Sequence, residues 1–159
     1  MSTVVEVSNL TKSFGGVTAV DQVSFCIEAG KIYGLLGRNG AGKTTIMRML
    51  AAREFATSGD VRVFGEAPYE NSRVLRQLCF VKDTQVYPRY FRMSDVLDVA
   101  PAFFPRWDPA YAFALAEDFR LPLTRRMRAL SRGMLSAAGV VVGLASRAPL
   151  TIFDEPYLG

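Results

Sequence analysis

Histidine is missing altogether from this 159-residue sequence, tryptophan occurs once, and cysteine only twice. Cys26 and Cys79 both lie in apolar, strand-like surroundings, so they read as reduced core residues and not as a disulfide framework. Long apolar runs are lacking too. The longest, residues 137–145, is about half of the roughly 20 residues a membrane-spanning helix needs. The opening Met1-Ser2-Thr3-Val4 has neither the charged nor the apolar region of a signal peptide. These absences predict a cytoplasmic chain whose membrane role would come through a partner. Low complexity, internal repeats and linkers are also absent. Half the residues are hydrophobic, 21% are charged, and Gly and Pro are ordinary, which excludes disorder as the dominant state. The length suits one domain with a sizeable core. The net charge of +4 is mild, and most arginines are scattered. The exception, Arg125-Arg126-Met127-Arg128, is a solvated face or the footprint of an anionic partner.

What is present is a complete G-x-x-x-x-G-K-[ST] pattern, Gly37-Arg38-Asn39-Gly40-Ala41-Gly42-Lys43-Thr44. The apolar run Ile32-Tyr33-Gly34-Leu35-Leu36 before it predicts a strand, and the stretch from Thr45 to Ala52 after it predicts a helix. In that setting the glycines allow backbone N–H groups to converge on phosphate oxygens, which a Cβ would obstruct. The helix N-terminus adds further N–H groups and a positive dipole end. Lys43 supplies a point charge for the β- and γ-phosphates, and the Thr44 hydroxyl is suited to Mg²⁺. A glycine-rich turn that merely contains Lys-Thr is the bland alternative, and the flanking context argues against it. The pattern points to a nucleoside triphosphate.

Elsewhere the periodicity alternates between strand and helix. Val4-Val5-Glu6-Val7 and residues 20–27 alternate with period two and are separated by a Gly15-Gly16 turn. Residues 59–65 and Cys79-Phe80-Val81 predict two more strands, and residues 72–78 a helix. From Met93 the character is helical. Val96, Leu97, Val99, Ala100, Phe103 and Phe104 recur at helical spacing, interrupted by Pro101. Asp108-Pro109 is a helix start, with the carboxylate as N-cap and Pro at the first helical position. Tyr111, Leu115, Ala116 and Phe119 would then share an inward face. Residues 135–145 form a small-residue apolar helix suited to close packing on a sheet. The predicted fold is α/β with a helical insert.

Two further signals bear on chemistry. Leu150-Thr151-Ile152-Phe153 predicts a buried strand ending at Asp154-Glu155-Pro156. At the carboxyl edge of a parallel sheet such a pair faces the same crevice as a phosphate loop. Asp154 can hold Mg²⁺, directly or through water, and Glu155 can orient and deprotonate an attacking water. About 20 residues upstream, Leu130-Ser131-Arg132-Gly133-Met134 can offer a hydroxyl, N–H groups and a helix N-terminus to an anion. In isolation that string is a helix cap. With a phosphate loop in the same chain, the anion-binding reading gains weight.

In this order, across essentially all 159 residues, the motifs resemble the nucleotide-binding domains of the ATP-binding-cassette family. The resemblance implies a P-loop NTPase fold of that type: a mixed sheet with helices, an N-terminal antiparallel β portion and a helical subdomain. It divides the chain into an ATP-binding core (1–83), a helical subdomain carrying the signature motif (84–136) and a return to the core (137–159). Phe14 matches the aromatic residue that stacks on adenine. Gly37, Asn39, Gly40, Ala41, Gly42, Lys43, Thr44 and Thr45 match the nucleotide-binding Walker A loop. Ser131, Arg132, Gly133 and Met134 match the signature that closes on ATP held by a second nucleotide-binding domain in a head-to-tail dimer. Asp154 and Glu155 match the Walker B magnesium carboxylate and the catalytic glutamate. Tyr87-Pro88, Phe104-Pro105-Arg106-Trp107-Asp108 and the Ser-Arg-Gly-Met signature look like the bacterial exporter ATPases found with GntR-type repressors.

The implied activity is hydrolysis of ATP–Mg²⁺ that drives a separate transmembrane permease subunit, with the chain on the inner face of the cell membrane. The family's magnesium-contacting glutamine has no direct counterpart; Lys82-Asp83 stand at its place, with Gln85 two residues on, and Asp83 is the candidate metal contact. Arg132 and Met134 replace the usual glycine and glutamine, so Arg132 either adds charge near the partner's γ-phosphate or points to solvent. The sequence stops after Tyr157-Leu158-Gly159, where the family's next motif would follow, and the missing histidine includes the family's switch histidine. A truncated or decayed copy is the expectation, and with it an alternative: a nucleotide-binding module with negligible hydrolysis. A P-loop GTPase would need Asn-Lys-x-Asp, which is absent. A cassette ATPase acting on nucleic acid or ribosomes would be expected to carry tandem cassettes or coiled-coil insertions, so no nucleic-acid partner is expected.

Overall fold

A computed structural model describes residues 2–82 and 85–156. The chain divides into two compact units, Met1–Leu75 and Arg76–Gly159. In the first, β1 (Thr3–Phe14) and β2 (Val17–Glu28) form an antiparallel hairpin, and β3 (Ser58–Val63) pairs with the other side of β1, also antiparallel. Gly15 and Gly16 both take positive φ at the hairpin turn. As the central strand, β1 contributes Val5, Val7 and Leu10 to the core; Val63, opposite Val5 on β3, and Val20 of β2 are buried as well. One face of α1 (Lys43–Leu50) closes this core through Ile46, Met47, Met49 and Leu50. The antiparallel β portion expected at the N-terminus is therefore present, with both hairpin strands longer than their alternating segments.

The second unit pairs β4 (Leu78–Lys82) in parallel with β5 (Leu150–Asp154), Leu78 opposite Leu150 and Lys82 opposite Asp154. The short α2 (Ser72–Leu75) precedes β4 and ends three residues earlier than its apolar pattern suggests, because Leu78 already belongs to the strand. Helix α5 (Arg132–Ala145) packs on the β4–β5 sheet. Its Gly143 lies so close that a Cβ would sit 2.6 Å from Cε1 of Phe153 and 3.0 Å from Cγ2 of Val81. Helices α3 (Met93–Val99) and α4 (Pro109–Asp118) cover its other side, with Met93, Leu97, Ala112, Ala116, Met127 and Val141 at the centre.

The α4 start follows the sequence signal. The Asp108 carboxylate accepts from the Tyr111 N–H at 3.0 Å, and Pro109 opens the helix. Arg147, just beyond α5, donates to the other carboxylate oxygen from Nη2 at 3.0 Å and lies 4.0 Å from the Tyr111 ring centroid. The Tyr111 N–H and then the Arg147 guanidinium hold the Asp108 carboxyl below its ordinary range.

Several expectations need correction. Residues 32–36 belong to no strand: Ile32 and Leu36 are 101% and 93% exposed, and the run pairs with none of the described strands. An extended apolar segment becomes a strand only when another backbone satisfies its N–H and C=O groups. Cys26 is exposed, since β2 is an edge strand, whereas Cys79 is buried as expected. Burial pushes the Cys79 thiol up to about 11, against a smaller downward pull from Ser146. The interruption expected at Pro101 is a 3₁₀ turn, Ala100–Ala102, and Val99 and Phe103 on either side of it are exposed. On α4 the small Ala112 and Ala116 are buried, while Tyr111, Leu115 and Phe119 only border the core.

Candidate functional site

The phosphate-loop residues lie in the first unit, between the extended run and α1. Gly40 and Gly42 adopt φ of +83° and +84°, the left-handed region in which a side chain is strained. Gly42 is the residue before α1, and its carbonyl accepts the helical bond from Ile46 N–H at 2.9 Å. A Cβ there would also meet the Ala19 carbonyl oxygen at 2.3 Å, so the loop is pressed against β2. At Gly40 no atom lies within 4 Å of a built Cβ, which leaves that side of the loop open to an incoming group. A tight turn, Ala41 N–H to Arg38 C=O at 3.1 Å, folds the loop back on itself. Lys43, first residue of α1, curls over it and donates from Nζ to the carbonyls of Gly37 (2.8 Å) and Arg38 (3.0 Å). Asn39 and Ala41 are exposed; Thr44 and Thr45 are half-buried in the first turn of α1.

These features fit a polyphosphate. The backbone is bent where only glycine bends cheaply, a cation is held at the loop, and a helix begins there with its positive dipole end. A hydroxyl at Thr44 adds the oxygen ligand type that Mg²⁺ takes. Phe14 lies at the end of β1, 46% exposed, with Lys12 Nζ 4.7 Å from its ring centroid.

The other candidates lie in the second unit. Ser131 caps α5, its Oγ accepting from the Met134 N–H at 3.2 Å. The cap reading of this string is thus realised. Accepting one bond leaves the hydroxyl proton for donation, so the cap and an anion contact are compatible. Ser131 and Arg132 are exposed; Gly133 and Met134 are half-buried. Asp154 ends β5 and is 8% exposed, opposite Lys82 in the parallel register. Glu155 follows with φ +49° and is exposed. A non-glycine residue there carries backbone strain of the kind that gathers at functional turns. At this strand end a nearly buried carboxylate thus stands beside an exposed one. The candidate Asp83 lies outside the described residues. Among the described residues, no three His, Cys, Asp or Glu side chains gather as a metal site of their own. No described helix is long and apolar enough to cross a membrane.

Lys12 and Glu54 escaped the sequence reading. Lys12 could have been found from its place two residues before Phe14, on the same side of a strand. Glu54 could not, because only the folded chain brings residues 54–58 beside β1.

Comparison with known proteins agrees with these motifs. The family model described as "ABC transporter" matches residues 20–158. The ABC transporter ATP-binding protein YtrB of Bacillus subtilis (strain 168) is 31% identical over 155 residues, covering 98% of this chain and 53% of YtrB. The bacitracin transport ATP-binding protein BcrA of Enterococcus faecalis is 51% identical over 75 residues, covering 47% of this chain and 24% of BcrA. The chain therefore spans about half the length of YtrB and aligns with a quarter of BcrA. Among solved structures, an ATP-binding subunit of an ABC transporter superposes with a TM-score of 0.86 at 24% identity, covering 98% of this chain and 67% of that one. At that identity the structural likeness speaks for the fold. With its motifs in order and 139 of its residues inside the family match, the chain belongs to the ABC transporter family.

Proposed function

We propose that this chain is the nucleotide-binding part of a transporter's ATPase subunit, binding ATP–Mg²⁺ and hydrolysing it in a head-to-tail dimer to drive a separate transmembrane permease. The observation that carries the reading is the left-handed glycine loop at the start of α1, with the Lys43 ammonium held over it. Gly37, Asn39, Gly40, Ala41, Gly42 and Thr45 cradle the phosphates, Lys43 balances their charge, and Phe14 stacks on the base. Thr44, Asp154 and Asp83 are the residues that would serve Mg²⁺, an ion that would supply charge neutralisation at the phosphate oxygens. Glu155 orients the attacking water and takes its proton. Ser131, Arg132, Gly133 and Met134 face the ATP of the second nucleotide-binding domain. In this reading residues 1–83 and 137–159 belong to the ATP-binding core and 84–136 to a helical subdomain. The permease holds the domain at the inner face of the cell membrane.

The alternative is a binding module with negligible turnover. An ATP–Mg²⁺ titration run beside a radiolabelled phosphate-release assay separates the two. Binding with sustained release supports the ATPase, binding with background release supports the module, and no binding rejects both.

A further inference from the structure

The first unit contains an ion pair placed against the ring of Phe14. Lys12 Nζ lies 2.7 Å from Glu54 Oε1, and the two side chains are only 12% and 27% exposed. Lysine is seldom so covered. Two bonds fix residues 54–58 beside β1: Thr57 N–H to the Thr11 carbonyl at 2.8 Å, and Ser13 N–H to Thr57 Oγ1 at 3.0 Å. Glu54 is thereby set next to Lys12, whose hydrogen bond holds the Glu54 carboxyl below its ordinary range, with Arg48 assisting from a distance. The same ammonium lies 4.7 Å from the Phe14 ring centroid. A cation at that distance is attracted to the negative face of the ring and restricts its rotation. Phe14 remains 46% exposed. With one side of the ring engaged, the exposed remainder is what a planar base can reach.

We propose that Lys12, held by Glu54, is a positioning residue for Phe14, fixing the ring as a stacking platform and so setting how strongly the chain prefers a nucleoside triphosphate to a bare triphosphate. The proposal rests on the reading of Phe14 as the base-stacking residue. The phosphate loop is the same for both ligands, and only the nucleoside triphosphate has a base to stack. A cation drawn to the ring also withdraws electron density from it, which favours stacking on an electron-rich purine. A plain structural ion pair, tying residues 54–58 to β1, would alter stability without altering that preference.

The test is titration of ATP–Mg²⁺ and of inorganic tripolyphosphate–Mg²⁺ into wild type, Lys12→Met, Lys12→Arg, Glu54→Gln and Phe14→Ala. The readout is the ratio of ATP affinity to tripolyphosphate affinity; a general loss of positive charge weakens the more highly charged tripolyphosphate at least as much, so it does not lower this ratio. Lys12→Met should lower the ratio about two- to five-fold, the range of an exposed cation–π contact. Lys12→Arg should restore it, and Glu54→Gln should lower it by a smaller factor. Tripolyphosphate binding reports that each variant is folded. A Lys12→Met ratio equal to wild type, with Phe14→Ala lowered, overturns the positioning role and leaves base stacking standing. A Phe14→Ala ratio equal to wild type removes base stacking, and the proposal with it. A Glu54→Gln ratio equal to wild type overturns the pinning of Lys12.

Discussion

The phosphate loop and the α5–β5 layer both depend on glycine, for opposite physical reasons. In the loop, Gly40 and Gly42 are needed for a backbone conformation, φ near +84°, that other residues enter only with strain. Gly143 has ordinary helical geometry and is needed for the space its missing Cβ leaves to Phe153 and Val81. The first kind shapes a surface that a ligand can use. The second lets a helix lie close on a sheet and stabilises the layer through packing. Substitution should therefore separate function from stability, depending on which glycine is changed.

The largest expected effect on stability is at the packed glycine. Gly143→Val drives a branched side chain into the Phe153 ring and should cost about 1–3 kcal/mol, the usual penalty of overpacking. Denaturant unfolding with an unchanged m-value is the check, and an unaltered midpoint would mean that α5 does not need this approach. Gly40→Ala sharpens the contrast. Nothing lies within 4 Å of the added Cβ, so only the left-handed strain of about 1–2 kcal/mol applies, and the marked loss should be in ATP–Mg²⁺ affinity.

Phe14→Ala should cost ATP binding on the order of 1–3 kcal/mol, the worth of stacking a base on an aromatic ring, with tripolyphosphate affinity unchanged. Ser131→Ala removes the α5 cap and should lower stability by about 1 kcal/mol without affecting binding of ATP to the phosphate loop. A smaller effect is expected at Asp108, whose carboxyl is held below its ordinary value in the folded chain. A depressed folded pKa contributes stability above the unfolded value, near 3.9, that is lost as pH falls through the folded one. Melting curves of wild type and Asp108→Asn should thus differ at pH 6 and begin to converge only as the pH falls below about 4. A difference independent of pH would show that the carboxylate charge contributes nothing.

How legible each region was follows from the range of the interactions that make it. The glycine loop, the Asp108 cap and the Ser131 cap are built by residues within a few positions of one another, and their sequence patterns carry them. The strand predicted for residues 32–36 has the right composition, but a strand is defined by its partner, and no described strand supplies one. Cys26 fails for a related reason. Apolar surroundings in sequence say nothing about which strand lies at an edge. The Lys12–Glu54 pair joins residues 42 positions apart, so only the folded β1 could reveal it.

The proposed function stands or falls with residues 37–45 as the site of the ATP phosphates and Lys43 as the source of the charge. Lys43 donates to two loop carbonyls and buries no apolar core, so Lys43→Ala should leave the fold largely intact. Calorimetric titration of ATP–Mg²⁺ into wild type and Lys43→Ala, with matched far-UV circular dichroism, tests this most directly. Measurable binding by wild type and abolished or severely weakened binding by the variant are expected. Equal affinity in the two would contradict the proposed function.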